Sequence, residues 1–156
     1  MNIQDELKQK GFRSELEKMV VNILFTSNWL NLKYNQTLKL YDISLQQFNV
    51  LRILRGQKEN PATINMITER MLDKSSNASR LVDKLLTKGF VTRSECPSDR
   101  RACSVFITEK GQELLKELDK QILYLEQTLS PLQEDEMKMV NDILDKFRNE
   151  KANNNS

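Results

Sequence analysis

Between Phe12 and Leu40 the chain contains neither Gly nor Pro, and its apolar residues return every three or four positions. Leu16, Met19/Val20, Ile23/Leu24, Leu30, Tyr34 and Leu38 carry the period, with Ser27 on the same stripe. This spacing predicts one long amphipathic helix, on the order of 40 Å at 1.5 Å per residue. In a chain of 156 residues, long enough for one domain and short for two, such a helix outruns the core available to cover it. Part of its stripe is therefore expected to meet a second subunit. Only 4 Gly and 3 Pro stand in the whole sequence, which disfavours a turn-rich β sandwich or a Gly-rich nucleotide fold.

Absences narrow the chemistry. With His 0 there is no Ser–His–Asp or Cys–His machinery and no His-containing zinc site. Two cysteines, Cys96 and Cys103, build neither a four-cysteine metal site nor a disulfide framework. The expectation is no enzyme, no cofactor, no metal site and no catalytic residue. Charge runs such as Glu134-Asp135-Glu136 read as favourable charge in a helix's first turn. No apolar run approaches the roughly 20 residues of a membrane span, and Met1 to Gln9 is polar and mixed in charge. A cytoplasmic protein with no membrane partner is expected.

Further elements are signed by their ends. Ser44 and Gln47 form a capping box, with Ile43 and Phe48 as a hydrophobic staple, before a helix carrying Phe48, Leu51 and Ile53/Leu54 that Gly56 is expected to stop. Pro61 and Thr63 introduce a short helix with Ile64, Ile67 and Met71. Asp73 to Asn77 is cap chemistry again, opening a helix with Ala78, Leu81, Val82, Leu85 and Leu86 on one side and Gly89 at its end. Phe90–Glu95 and Ala102–Ile107 read as strands around a polar turn, a β-hairpin. Thr108 caps the next helix, and Ser130-Pro131-Leu132-Gln133 is expected to start another with Ser at the cap. Residues 151–156 are Asn-rich and expected to be a disordered tail. The predicted fold is mostly α with a small β-hairpin wing: a winged helix-turn-helix part, 43–108, between helical dimerisation elements, 12–41 and 109–150.

The net charge of +2 hides an uneven distribution. From Lys74 to Arg101 the cations Lys74, Arg80, Lys84, Lys88, Arg93, Arg100 and Arg101 face only Asp83, Glu95 and Asp99, while the segment after Glu109 is acidic. A basic middle suits a polyanion. On the helix after the Ser-rich cap, Ser76, Asn77, Arg80, Asp83 and Lys84 fall opposite the apolar side, with Ser79 at the flank. Small hydroxyl and amide side chains allow close approach to phosphates and base edges, and Arg80 and Lys84 can read guanine. The hairpin tip, Asp99-Arg100-Arg101, puts two guanidiniums on a protrusion suited to a narrow minor groove, with Asp99 holding one of them.

These residues resemble the multiple-antibiotic-resistance regulator (MarR) family of bacterial transcription factors. The resemblance is carried by Ser79-Arg80-Leu81-Val82-Asp83-Lys84-Leu85, then Lys88-Gly89-Phe90-Val91-Thr92-Arg93, Pro97-Ser98-Asp99-Arg100-Arg101, Val105 and Ile107-Thr108-Glu109-Lys110-Gly111. It implies a homodimer on pseudo-palindromic double-stranded operator DNA, its half-sites roughly 34–36 Å apart. By position it makes Ser75, Ser76, Asn77, Ser79, Arg80 and Lys84 the major-groove set, and Arg101 with Asp99 and Arg100 the minor-groove wing. Thr63 and Asn65, which start the supporting helix, become phosphate contacts. It further implies a repressor released by a small, often aromatic, effector, for which Trp29, Tyr34 and Phe48 are the candidate pocket; aromatics at helical spacing also read simply as core. Two alternatives stand beside it. One is a winged-helix module that binds protein; the other is an oxidant-sensing regulator whose Cys96 and Cys103, near Arg93, Arg100 and Arg101, have lowered thiol pKa values.

Overall fold

A computed structural model describes residues 2–58, 60–94, 104–129 and 131–149. The chain divides into two units, residues 1–123 and 124–156.

In the first unit, the predicted long helix is α2, Glu15–Lys39, capped by the Ser14 hydroxyl, which accepts from Glu17 N–H. It begins three residues later than the apolar period, because a cap and not the first apolar residue sets a helix start. Ahead of it lies a short helix the polar N-terminus had concealed. This is α1, Ile3–Leu7, closed by a reciprocal cap between Asn2 and Asp5 and burying Ile3. Along α2 only Leu38 is buried; Leu24 remains 60% exposed, and Leu16 and Leu32 are exposed with it.

The next three helices are α3 (Leu45–Gly56), α4 (Ile64–Arg70) and α5 (Ala78–Thr87). The expected capping box opens α3: Gln47 N–H donates to Ser44 Oγ and Ser44 N–H to Gln47 Oε1. Its close differs from the expectation. Gly56 is the last helical residue, and Lys58, at φ 57°, takes the left-handed turn. Thr63 caps α4, its Oγ1 accepting from Met66 N–H. Phe48, Leu51 and Leu54 of α3, Ile64 and Ile67 of α4, and Val82 and Leu85 of α5 are all buried. Each helix presents its apolar side at helical spacing, so the three close one core.

The hairpin is antiparallel, β1 (Val91–Arg93) on β2 (Val105–Ile107), with Val91 opposite Ile107. The strands are shorter than predicted, although Ser94 N–H still donates to Ser104 O. Ala62, just before α4, exchanges both backbone hydrogen bonds with Val105, which ties the helical part to the wing's base. Gly89 makes the turn into β1 at φ 73°, as its position after α5 implied. α6 (Glu109–Leu129) starts at the predicted Thr108, whose hydroxyl donates to Gly89 O and accepts from Gly111 N–H. Gly111 sits so close to the wing that a Cβ there would lie 2.3 Å from Phe90 O. Leu115, Leu118 and Ile122 are buried, and Arg55 of α3 forms a two-pronged ion pair with Asp119. Nearby, Tyr41 Oη donates to Glu117. Burial first, and then that carboxylate, push the Tyr41 phenol up.

In the second unit, α7 spans Glu134–Arg148. It was expected to begin at Ser130 with Pro131 as its first residue. The start is instead Gln133, whose N–H donates to Glu136 Oε2, so the acidic triplet supplies the closing carboxylate. No residue of α7 is buried; Met137, Met139, Val140, Ile143 and Phe147 are exposed along it. The tail, 151–156, lies outside the described residues.

Candidate nucleic-acid interface

The turn from α4 to α5 is built almost entirely from its own hydrogen bonds. Asp73 Oδ1 accepts from both the N–H and the hydroxyl of Ser75, and Asp73 O accepts from Ser76 N–H. The two Ser75 bonds hold the Asp73 carboxyl below the usual carboxylate range, against a smaller opposing effect of desolvation. Asn77 then caps α5, its Oδ1 accepting from Arg80 N–H at 3.0 Å. This cap uses the amide oxygen and leaves the amide hydrogens outside it.

Ser75, Ser76, Asn77, Arg80 and Lys84, five of the six residues expected to read the major groove, come together along one open cleft of about 380 Å³. Asn77, Arg80, Leu81 and Lys84 follow the three-and-four spacing of a single helix ridge. Gln46 of α3, not expected from the sequence, lines the same cleft. Ser79, the sixth, sits half-buried on the flank. Arg80 and Lys84 are exposed, and among the described residues neither side chain is paired with a carboxylate. Like charges one turn apart repel by a few tenths of a kcal/mol, so this ridge is relieved by an anion.

Asp83, read from the sequence as part of the exposed polar side, does something else. Its Oδ1 accepts from Arg93 Nη2 at 2.7 Å, and Arg93, whose side chain is only 14% exposed, stands on β1. The pair braces α5 against the wing and removes Arg93 from the free cations. At the far end of α5, Lys88 pairs with Asp42 in the turn before α3, and Lys110 donates to Lys88 O. Periodicity could not reveal these partners, because they are 10, 46 and 22 residues apart in the chain.

Thr63 and Asn65 stand in the first turn of α4, Asn65 exposed and Thr63 engaged as its cap. Asp99, Arg100, Arg101, Cys96 and Cys103 lie outside the described residues. Of the aromatics expected to line a pocket, Phe48 is 2% exposed, in the core beneath Arg52, whose guanidinium carbon lies 5.6 Å from the ring centre. Trp29 is partly exposed on α2 and Tyr34 half-buried. A second cleft, about 480 Å³, is lined by none of the three. Its walls are Ser27, Asn31 and Asn35 of α2, Leu45, Gln46 and Asn49 of α3, and Met71, Leu72 and Asp73 of the α4–α5 turn. Asn49 Oδ1 there accepts from Leu72 N–H at 2.8 Å, a contact no motif signalled. Among the described residues no cluster of metal-ligating side chains occurs, and no helix is long and apolar enough to cross a membrane.

Comparison with known proteins agrees with this architecture. The transcriptional repressor MprA of Escherichia coli (strain K12) is 31% identical over 84 residues, 54% of this chain and 48% of that protein. The chain thus spans about half the length of that curated relative. A MarR-like transcription regulator from Bacillus cereus superposes with a TM-score of 0.73 at 25% identity, covering 85% of this chain and 95% of that one. MepR of S. aureus, solved as a DNA complex, gives 0.69 at 25% identity over 82% and 92%. Residues 43–103, from the turn before α3 past β1, match the MarR family, and the arrangement of α3, α4, α5 and the hairpin is similar to that of the MarR-like structures.

Proposed function

We propose that this chain is a DNA-binding transcriptional regulator that acts as a homodimer and represses its target genes. The observation that carries the reading is the pair Arg80 and Lys84, which among the described residues have no carboxylate partner and are exposed on the ridge of a helix whose other side is locked into the core. In this reading α5 enters the major groove. Ser75, Ser76, Asn77, Ser79, Arg80 and Lys84 meet base edges and phosphates there, with Thr63 and Asn65 on the backbone. Asp99, Arg100 and Arg101 carry the wing to the minor groove. The Asp83–Arg93 brace supports it, because it fixes the base of the wing against α5.

Dimerisation is supported by the apolar side chains left exposed on α2 and α7. Their burial in a second copy would put two α5 helices on successive major grooves. Relief by a small effector completes the proposal. BpsR of Bordetella bronchiseptica, a structural neighbour, is described as regulated by 6-hydroxynicotinic acid.

Fluorescence anisotropy tests the reading, with DNA from upstream of the chain's own gene and random DNA compared across about 50 to 200 mM salt. The expected result is a preference of about a thousandfold or more for the upstream DNA and a steep fall in affinity with salt. Equal, weak binding to both DNAs would turn the reading toward a winged helix that binds protein.

A further inference from the structure

We propose that Asn49 is a positioning residue for DNA recognition: by accepting the Leu72 N–H, it sets where the α4–α5 turn rests on α3. This inference depends on α5 being the DNA-reading helix. Among the described residues the turn's remaining backbone bonds are local. Met71 N–H donates to Ile67 O and Thr68 O, Ser75 and Ser76 bond to Asp73, and Arg80 N–H bonds to Asn77. Such bonds define the shape of the segment and say nothing of its place. The Asn49–Leu72 bond, at 2.8 Å, reaches across 23 residues and joins the turn to the scaffold helix.

Apolar packing does not do the same work at Leu72, a residue 82% exposed. Met71 beside it is buried, and that anchors the end of α4 without directing the chain beyond it. Asn in mid-helix competes with the backbone and is a poor helix former. Its occurrence between the buried Phe48 and Val50 is accounted for by the acceptor it supplies. Ser75, Ser76 and Asn77 follow Leu72 within five residues, so a shift at Leu72 carries directly to the groove-facing set.

The test compares Asn49→Leu, similar in size but without an acceptor, with Asn49→Asp, which keeps one. Leu72 amide exchange is read by NMR. Anisotropy gives affinity for a duplex that the wild-type chain selects from a random-sequence pool, and for an unselected duplex. In Asn49→Leu the Leu72 amide should exchange faster, and preference for the selected duplex should fall about five- to tenfold, the worth of one hydrogen bond. The salt slope should not change, because no phosphate contact is lost. Asn49→Asp should weaken both duplexes alike through its charge yet restore the preference to within about twofold. Asn49→Ala takes the place of Asn49→Leu if the leucine variant does not fold. Wild-type preference in a folded Asn49→Leu protein, or an equal loss of preference in Asn49→Asp, would overturn the proposal. A wild-type chain that selects no duplex would instead remove the DNA reading. Leu72 exchange would then still decide the bond, and an unchanged rate in Asn49→Leu would refute it.

Discussion

Gly111→Ala is a substitution for which helix propensity and tertiary contact predict opposite signs. Gly111 is in the first turn of α6, and replacing a helical Gly with Ala stabilises an open helix by about 0.8–1 kcal/mol. Here, however, the new Cβ would lie 2.3 Å from Phe90 O and 2.9 Å from Ile107 Cγ1. The first distance is about 0.7 Å inside the 3.0 Å that real Cβ atoms respect. Phe90 cannot easily retreat. Its carbonyl accepts from Thr108 N–H at 3.0 Å, and its own N–H donates to Leu85 O at 3.0 Å. Relief requires moving the wing's base against α5 or losing one of those bonds. Overpacking of about 3 kcal/mol, set against the propensity gain, leaves a net loss of about 2 kcal/mol. Urea denaturation at fixed protein concentration should then show a midpoint lowered by about 1 M with unchanged slope. Gly56→Ala is the control, since a Cβ there meets nothing within 4 Å, and it should be neutral or stabilising by up to about 1 kcal/mol. Equal stabilisation by both substitutions would refute the close approach of α6 to the wing.

Replacing Lys84 with Ala should weaken binding to all DNAs and lower the salt slope by about one contact. Arg80→Ala should cost about 1–3 kcal/mol and relax preference at one base position; anisotropy on a set of single-site operator variants separates the two. Asp73 titrates below its ordinary range because Ser75 donates to it, so its contribution to stability is complete above the unfolded pKa and is lost as pH falls through the folded one. Asp73→Asn keeps an acceptor but no longer titrates. Its unfolding free energy, followed from about pH 5 to pH 2, should fall less steeply than wild type. Glu17 and Glu117, also held low, retain their share of the slope. If the proposed dimer buries the exposed apolar side of α7, Ile143→Glu should shift the chain from dimer to monomer in sedimentation and weaken operator binding.

Four helix starts whose caps are made by neighbours in sequence were legible from sequence alone, whereas the equally local Asn2–Asp5 cap of α1 went unread in a polar N-terminus. Ser44 with Gln47, Thr63 with Met66, Asn77 with Arg80 and Thr108 with Gly111 all bond within three residues, and each helix start follows. Besides the start of α2, set by Ser14 rather than by the first apolar residue, two termini were misplaced because rival local signals competed. Around α7, Ser130-Pro131 and Gln133 with Glu136 were rival caps, and at α3 Gly56 and Lys58 were rival turn residues. The polar ridge of α5 was also readable, because helical spacing alone separates Arg80 and Lys84 from Val82 and Leu85.

Asp83, Phe48 and Asn49 show where that legibility ended. Spacing put Asp83 on the exposed side, yet whether it faces a ligand or Arg93 depends on the position of β1. Phe48 shares its period with every other core residue of α3, and only the packed neighbours show that it is buried beneath Arg52. Asn49 carries no motif, and its partner is a backbone N–H 23 residues away. Helix period, caps and charge depend on residues one turn apart, so the amino-acid order determined the elements and the chemistry of the α5 ridge. Ion pairs, close approaches and the seating of the α4–α5 turn join residues brought together only when the helices pack, and tertiary structure alone decided those.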